Sequence, residues 1–323
     1  MKVLKALLKG SAGTLAVLAL GELILQLLGY GGLEQYAPDP ELLWRLRPGQ
    51  STRTKIGHYP VRINSMGMRG PEFSCQRSTN TFRVIVFGDS YTFGWGVRQE
   101  ETYAAQLQQL LQKAWPQLYV EVWNAGCNGY SLMQEVASLR RLNSCRPDLT
   151  VISCSFNDDA LFDPAKMDNQ LRSRIMRGVR VKNFLRRSGL YNFLVEMQGK
   201  AVYLKIRRKI LSGTWSSTLP EEERLRRSES TLREAERICH DNDRTLMFLV
   251  TSGGGQTNAG PYQQCMLDVA AKDAVPVVDM VSKLRGAPRD KYWIPDGHLN
   301  AAGQRATAEA VAEWILSRPW PSS

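Results

Sequence analysis

Residues 82–90 of the chain read FRVIVFGDS. The first six are apolar or β-branched apart from one arginine, and a glycine ends the run, which is typical of a buried strand. Four more runs of this kind follow at 118–123, 149–154, 245–250 and 275–278. Stretches with helical patterns alternate with them, near 100–114, 131–143, 221–240, 261–272 and 301–317. The alternation predicts an α/β fold with a parallel, doubly wound sheet.

Length and composition agree with such a fold. The chain has 323 residues, of which 43% are hydrophobic and 23% charged. This composition is globular and excludes extended disorder, collagen and coiled-coil architecture. Roughly 90 residues separate the third run from the fourth, far more than a crossover between parallel strands needs. We therefore predict a helical insertion between strands 3 and 4, at about 160–218.

The insertion carries the net charge of the protein. Residues 166–209 contain 13 lysines and arginines and two acidic residues. The net charge of this segment is therefore +11, the same as that of the whole chain. Apolar residues at helical spacing, from Phe184 to Ile210, predict two amphipathic helices there. They either pack on the core, cap an active site or lie on a membrane. The basic charge suggests an anionic partner, such as lipid headgroups or an acidic glycan, and a solvated helical face is the alternative.

The N-terminus has the pattern of an export or anchoring segment. Three lysines precede an apolar stretch at about 12–30, and acids follow it. At 1.5 Å per residue, such a stretch is roughly 28 Å long, close to the thickness of a bilayer core. Glu22 and Gln26 interrupt it, and Ala19-Leu20-Gly21 fits a signal-peptidase site. Residues 1–30 are therefore predicted as a signal anchor or a signal peptide, with a buried soluble helix as the third interpretation.

The remaining boundaries follow from composition. Residues 31–80 are rich in proline and show little periodicity, so we predict a linker leading into a main domain at 81–323. Six cysteines include no C-x-x-C pair, and there are only three histidines, so no metal site and no cofactor is predicted. In an exported chain, Cys239 and Cys265 are a candidate disulfide pair.

Small, polar or titratable residues follow four of the five predicted strands. Ligands bind at this edge of an open parallel sheet. The four segments are Gly88–Ser90, Asn124–Ser131, Ser155–Asp158 and Pro295–Asn300. Each alone has a plainer interpretation, such as a turn, a helix cap or a loop histidine. Their joint occurrence at strand ends favours nucleophilic catalysis.

The chemistry of these segments suggests roles. Ser90 follows a glycine at a strand-to-helix turn and is the predicted nucleophile. A serine hydroxyl needs a base, for which His298 is predicted, with Asp296 as the carboxylate that orients it. The backbone N–H groups of Ser90 and Gly129 and the side-chain amide of Asn157 are the predicted donors to an oxyanion.

In this combination the sequence resembles the SGNH hydrolases of the GDSL type, named for a Ser, Gly, Asn and His in four blocks. Gly88-Asp89-Ser90 resembles the first block, Gly129 the second, Asn157 the third, and His298 with Asp296 the last. The resemblance implies a flavodoxin-like, three-layer α/β/α fold whose five-stranded sheet has the order 2-1-3-4-5. It also implies ester or acyl hydrolysis without a metal.

Two positions depart from the family pattern. Ser155 stands where the third block usually has glycine, and Asp296 lies two residues before His298 rather than three. With the shorter spacing, a backbone carbonyl is the alternative group to orient the histidine. The N-terminal anchor followed by residues 64–70, NSMGMRG, is similar to a bacterial membrane-anchored subgroup of the family.

The sequence thus predicts an extracytoplasmic serine esterase of the bacterial cell envelope, membrane-anchored, or secreted if the N-terminus is cleaved. Its expected substrates are O-acetyl or short-chain acyl esters of an envelope glycan or lipid. The expected contacts with the membrane are the N-terminal helix and the basic insertion. The alternatives are an O-acyltransferase using the same site and a non-catalytic envelope-binding protein. Nucleic-acid binding is not expected, because no recognition motif accompanies the basic segment.

Overall fold

The computed structural model describes residues 2–155, 169–197 and 220–320. The strands are β1 (Tyr36–Asp39), β2 (Leu43–Leu46), β3 (Gln50–Arg53), β4 (Pro60–Ile63), β5 (Thr81–Phe87), β6 (Tyr119–Asn124), β7 (Leu149–Cys154), β8 (Thr245–Val250) and β9 (Val277–Asp279). The helices are α1 (Lys2–Leu27), α2 (Ser90–Phe93), α3 (Tyr103–Ala114), α4 (Leu132–Leu142), α5 (Asn169–Leu185), α6 (Gly189–Met197), α7 (Glu221–His240), α8 (Pro261–Asp273), α9 (Met280–Lys283), α10 (Arg289–Tyr292) and α11 (Ala301–Leu316). Short 3-10 turns occur at Gln99–Glu101 and Asn143–Cys145.

The central sheet has the predicted strands and the predicted order. Its five parallel strands are arranged β6-β5-β7-β8-β9, which is 2-1-3-4-5 when they are numbered along the chain. Each observed strand lies within two residues of a predicted apolar run. The fold prediction is therefore confirmed, because buried parallel strands are continuous apolar runs that a sequence shows directly.

Helices cover both faces of this sheet. Alternate side chains of β5 point to opposite faces, so Val84 and Val86 pack with α3 and α11, whereas Ile85 and Phe87 pack with α4, α7 and α8. The two buried clusters form the two cores of a three-layer α/β/α arrangement. The carboxyl ends of β5 and β6 lie side by side, which brings the loops that follow these strands together.

Residues 36–63, predicted as part of a linker, instead form two antiparallel hairpins, β1–β2 and β3–β4. Buried side chains of the hairpins, such as Leu46 and Ile63, pack against Phe93 and Tyr130 of the main domain. Each of the four strands has only four residues, and two contain a proline. Strands this short produce too little alternation for a periodic signal, which is why the sequence suggested a linker.

The predicted helical insertion is present between β7 and β8, the third and fourth strands of the central sheet along the chain, and α5 and α6 are its described helices. Its inner face packs on the β1–β2 hairpin. There Tyr36 donates its N–H to Asn183 Oδ1 at 3.0 Å, and Arg186 pairs with the buried Glu34 at 3.2 Å. The predicted helical spacing that continues to Ile210 runs into residues 198–219, which lie outside the described residues.

The end of α1 is attached to the start of α6. The Glu22 carboxylate accepts hydrogen bonds from Ser188 Oγ at 2.8 Å and from the N–H groups of Gly189 and Leu190 at 2.7 and 2.9 Å. Glu22, which interrupts the apolar stretch, thus satisfies the N-terminal N–H groups of another helix. Within the described residues, no helix is both long and apolar enough to cross a membrane.

The disulfide joins Cys75 and Cys145, not Cys239 and Cys265 as the sequence suggested. Cys239 and Cys265 are free thiols. Cys265 lies beside Leu225 near the start of α7, with its sulfur 3.8 Å from the Leu225 carbonyl oxygen. Cys239 lies near the other end of that helix, about 20 Å further along at 1.5 Å per residue. This separation prevents the predicted bond.

Candidate active site

The turn after β5 presents Ser90. The chain leaves the strand at Gly88, and a Cβ there would clash with Thr92 and lie 2.9 Å from Ser153 Cβ, so only glycine fits. Asp89 then caps α2, because its carboxylate accepts from the Tyr91 N–H at 2.8 Å. Ser90 is the first residue of that helix and stands, partly exposed, at the carboxyl edge of the sheet.

Ser90, His298 and Asp296 come together although 208 residues separate the serine from the histidine. Ser90 Oγ lies 2.8 Å from His298 Nε2, and His298 Nδ1 lies 3.1 Å from Asp296 Oδ1. With the ring proton on Nδ1, the imidazole donates to Asp296, and Nε2 is left to accept from the Ser90 hydroxyl. Both distances are those of a nucleophile, its base and an orienting group.

The two-residue spacing from Asp296 to His298 works because the chain turns sharply there. The Gly297 N–H donates to the Ile294 carbonyl at 2.9 Å, and the Ile294 N–H donates to the His298 carbonyl at 2.8 Å. Gly297 has φ +98°, a conformation that favours glycine. The turn folds the Asp296 carboxylate over His298, where Oδ1 also accepts from the backbone N–H of His298 at 3.0 Å. The carboxylate thus reaches Nδ1 directly.

Two aromatic residues that the sequence analysis missed hold this pair in place. Trp95 donates its indole N–H to Asp296 Oδ2 at 3.2 Å. The Tyr91 ring stacks on the His298 ring with centroids 4.8 Å apart, and its hydroxyl donates to the Gly297 carbonyl at 3.0 Å. Both follow Ser90 within five residues, so the aromatic character of the segment SYTFGW was the available signal.

Ser155 forms a hydrogen bond to the turn that carries Ser90. Its hydroxyl donates to Asp89 Oδ2 at 3.0 Å, while Asp89 itself is buried. Burial raises the pKa of the Asp89 carboxyl, because the charged form loses its hydration. The Ser155 hydroxyl, like the Tyr91 N–H, favours that charged form. Ser155, which stands where the resembled family usually has glycine, therefore donates to the cap residue that precedes Ser90.

Two of the predicted oxyanion donors lie in the described residues. The Ser90 N–H is at the start of α2, where no acceptor within the helix is available to it. Gly129 is exposed, has φ +78°, and lies in the loop after β6. That loop is tied to the Ser90 turn, because the Cys127 N–H donates to the Gly88 carbonyl at 3.0 Å. Asn157, the third predicted donor, lies outside the described residues.

The arrangement suits acyl transfer to a hydroxyl nucleophile. A base within hydrogen-bonding distance can take the Ser90 proton, and backbone donors lie on neighbouring loops for the charge that then develops. The part of the chain that the structure describes holds no group of three or more His, Cys, Asp or Glu side chains placed to bind a metal ion.

Comparison with models of known protein families gives one match. The sequence model of the GDSL-like Lipase/Acylhydrolase family matches residues 86–306. No curated protein sequence matches the chain.

Solved structures with similar folds are distant in sequence. A two-domain esterase (CEX) active on acetylated mannans, crystallised with mannopentaose, has a TM-score of 0.47 and 17% identity over 75% of this chain and 52% of that chain. The lipase/acylhydrolase from Enterococcus faecalis has a TM-score of 0.43 and 16% identity, covering 73% of this chain and 96% of that chain. The esterase EstA from Pseudoalteromonas sp. has a TM-score of 0.44 and 13% identity, covering 74% and 97%. The chain spans about half the length of the two-domain esterase.

Proposed function

This chain belongs to the GDSL-like lipase/acylhydrolase family, and we propose that it is an extracytoplasmic serine esterase. Its substrates in this proposal are acetyl or short-chain acyl esters of an envelope glycan or lipid. The observation that carries the proposal is the contact of 2.8 Å between Ser90 Oγ and His298 Nε2. A hydroxyl whose proton is directed at an imidazole is the arrangement that makes serine a nucleophile.

The proposed reaction has two halves. In the first, His298 Nε2 takes the proton of Ser90 as Oγ attacks the ester carbonyl carbon. The resulting oxyanion accepts hydrogen bonds from the N–H groups of Ser90 and Gly129 and from the amide of Asn157. His298 then gives its proton to the departing alcohol, which leaves an acyl group on Ser90. In the second half, His298 takes a proton from water as the water oxygen attacks that acyl group. The bond between the acyl carbon and Ser90 Oγ then breaks, His298 returns the proton to Oγ, and the acid is released.

Asp296 has two tasks in this mechanism. It holds Nδ1 of His298 at 3.1 Å, which keeps Nε2 free to take a proton from Ser90. It also stabilises the imidazolium that forms once His298 holds the proton. A carboxylate is suited to both, because it accepts two hydrogen bonds on one oxygen and a third, from Trp95, on the other.

The location outside the cytoplasm is supported by the Cys75–Cys145 disulfide. Disulfides form and persist in oxidising compartments and are rare in the cytosol of mesophiles. The three lysines before the apolar N-terminal stretch agree with an orientation that exports the rest of the chain. Membership in a membrane-anchored subgroup stays a prediction.

Association with a membrane is part of the proposal. Large apolar side chains of α1 are exposed, namely Leu15, Val17, Leu18, Leu20, Leu23, Ile24 and Leu27. On α5, exposed basic residues such as Arg174 and Arg177 share a face with the exposed Val181 and Phe184. A helix with apolar and basic residues on its outer face suits the interface of an anionic membrane. Anionic glycans would be attracted by the same charges.

Vesicle binding tests this part independently of catalysis. The full chain should sediment more completely with vesicles containing phosphatidylglycerol than with pure phosphatidylcholine vesicles. The paired variant Arg174→Glu, Arg177→Glu should lose that preference and retain hydrolysis of a soluble ester. If the variant keeps the wild-type preference for vesicles containing phosphatidylglycerol, the basic face has no role in membrane binding.

Hydrolysis of p-nitrophenyl acetate, butyrate and octanoate by the full chain tests the esterase proposal, with Ser90→Ala alongside. Turnover that depends on Ser90 supports it, and the order of the three rates gives the preferred acyl length. If the folded protein does not turn over, a fluorophosphonate probe divides the remaining cases. Labelling of Ser90 without hydrolysis would favour acyl transfer to another acceptor, and no labelling would favour a binding protein.

A further inference from the structure

The β1–β2 hairpin reaches the loop that carries Gly129. Trp44 on β2 is half-buried, and its indole N–H donates to the Asn128 carbonyl at 3.2 Å. The same indole lies against the neighbouring glycine, because a Cβ on Gly129 would be 3.6 Å from Trp44 Cζ2. A residue of the segment predicted as a linker therefore contacts the candidate oxyanion donor.

The hydrogen bond acts on the peptide unit that matters for catalysis. The Asn128 carbonyl and the Gly129 N–H belong to one planar, trans peptide group, so they point in opposite directions. Fixing the carbonyl on Trp44 fixes the direction of the N–H as well. A carbonyl that accepts a hydrogen bond also polarises its own peptide group, which makes the N–H a better donor.

This peptide group needs an external support. Gly129 is exposed and has positive φ, and glycine has the widest choice of backbone conformations. The residues on either side of Gly129 are fixed by the same hairpin. Tyr130 donates its hydroxyl to the Trp44 carbonyl at 2.8 Å, and Asn128 Nδ2 donates to the Tyr36 hydroxyl at 3.0 Å.

The hairpin is itself held firmly enough to serve as a support. Gln134, in the first turn of α4, donates its side-chain amide to the Leu42 carbonyl at 2.6 Å. On the opposite side, the Tyr36 N–H donates to Asn183 of α5. Leu42 and Leu46 of this region are buried in the cluster that contains Tyr130. Trp44 thus projects from a strand that is fixed on two sides.

We propose that Trp44 is a positioning residue of the oxyanion hole, which holds the Asn128–Gly129 peptide with its N–H toward the developing oxyanion. The inference rests on the proposed esterase function, since it assigns Gly129 the role of donor. Trp44 acts through Gly129 and takes no part in the proton transfers between Ser90 and His298. Its loss should therefore slow the chemical step without altering either the binding of substrate or the behaviour of the base.

The test is Trp44→Phe in the full chain, which keeps an aromatic ring and removes the donor. Loss of a whole oxyanion donor typically costs 10²–10³ in kcat, so loosening one should lower kcat by roughly tenfold. KM should stay within about twofold, and the pH profile of kcat/KM should keep its shape. Trp320→Phe is the matched control, because Trp320 donates its indole N–H to the Ile315 carbonyl at 2.8 Å, remote from the site.

Hydrogen–deuterium exchange supplies a second measurement that does not require turnover. Trp44→Phe should speed exchange in the peptide 125–131 and leave the peptide 81–88 unchanged. An unchanged kcat with wild-type exchange at 125–131 would overturn the inference, while Ser90-dependent turnover would leave the esterase function standing. If the wild type does not hydrolyse esters, faster exchange confined to 125–131 still supports the positioning contact, and unchanged exchange overturns it.

Discussion

Trp95 donates its indole N–H to Asp296 Oδ2 at 3.2 Å, so a residue five positions after Ser90 holds the carboxylate that contacts His298. The other oxygen of Asp296 accepts both the backbone N–H and the Nδ1 proton of His298. The segment that begins at Ser90 and the loop that ends at His298 are joined by the Trp95–Asp296 contact as well as by the Ser90–His298 contact and the hydrogen bond from Tyr91 to the Gly297 carbonyl. The segment that begins at Ser90 and the loop that ends at His298 therefore restrict each other's position.

Replacing Trp95 by phenylalanine should lower kcat by about tenfold. A hydrogen bond to a charged acceptor contributes roughly 1.5–3 kcal/mol, and 1.36 kcal/mol corresponds to tenfold in rate. Without the indole N–H, Asp296 gains rotational freedom and orients His298 less well. Steady-state kinetics on p-nitrophenyl acetate would measure the change, with Trp320→Phe as the remote control. If kcat of Trp95→Phe equals that of the control, the contact has no part in orienting the triad.

Asp296→Asn should lower kcat much more than would be expected if a backbone carbonyl, and not Asp296, oriented His298. The carboxylate contacts Nδ1 of His298 directly, and an amide in its place can donate to Nδ1 and favour the wrong tautomer. We expect a loss in kcat on the order of 10²–10⁴, with Ser90→Ala and His298→Ala each abolishing turnover. A fall of less than about fivefold would indicate that another group orients the ring.

Removing the hydroxyl of Ser155 should make stability more sensitive to pH. The pKa of Asp89 is raised by burial, so the folded protein binds its proton more tightly than the unfolded chain does. Ionisation of Asp89 thus costs stability as pH rises from the usual aspartate value of about 4 up to the raised folded value. The hydrogen bond of 3.0 Å from Ser155 offsets part of that cost.

In Ser155→Ala this compensation is lost, so the free energy of unfolding should fall further below wild type as pH rises. Urea denaturation near pH 4 and near pH 8 would measure it. We expect the free energy of unfolding of Ser155→Ala to be slightly below that of the wild type near pH 4 and about 1.5–3 kcal/mol below it near pH 8. A deficit that is the same at both ends would mean that the hydroxyl does not act through the Asp89 charge.

Reduction of the Cys75–Cys145 bond should lower the free energy of unfolding by about 2–4 kcal/mol, because the bond restricts the unfolded chain. Urea denaturation with and without dithiothreitol would show this, and Cys75→Ser should remove the dependence on reductant. In intact cells, a thiol reagent should fail to modify Cys75 and Cys145 until a reductant is added. Ready modification of both without reductant would argue against the proposed compartment.

The sequence by itself was sufficient for the sheet and for the order of the site residues. Buried parallel strands are uninterrupted apolar runs, and residues that follow such runs must meet at one edge of the sheet. Ser90, His298 and Asp296 could therefore be chosen without coordinates. The catalytic roles of these three residues remain predictions, and so does that of Asn157, which was chosen in the same way and lies outside the described residues.

Contacts between distant parts of the chain were decided only by the tertiary structure. Arg83 is an example, because a charge in the middle of a buried strand looks anomalous until its partners are seen. It pairs with Glu121 at 2.7 Å, and it donates to the carbonyls of both disulfide-bonded residues, Cys75 and Cys145. The disulfide itself joins residues 70 positions apart, and no spacing rule predicts such a pair.

The same limit explains why the N-terminal hairpins and the two tryptophans were missed. A local pattern reports which face of a strand or helix is buried, but not which other segment buries it. Trp44 and Trp95 gain their importance from the Asn128 carbonyl and the Asp296 carboxylate, which lie 84 and 201 residues away along the chain. Periodicity of apolar residues thus determined the scaffold, whereas hydrogen bonds between distant segments decided how its site is held.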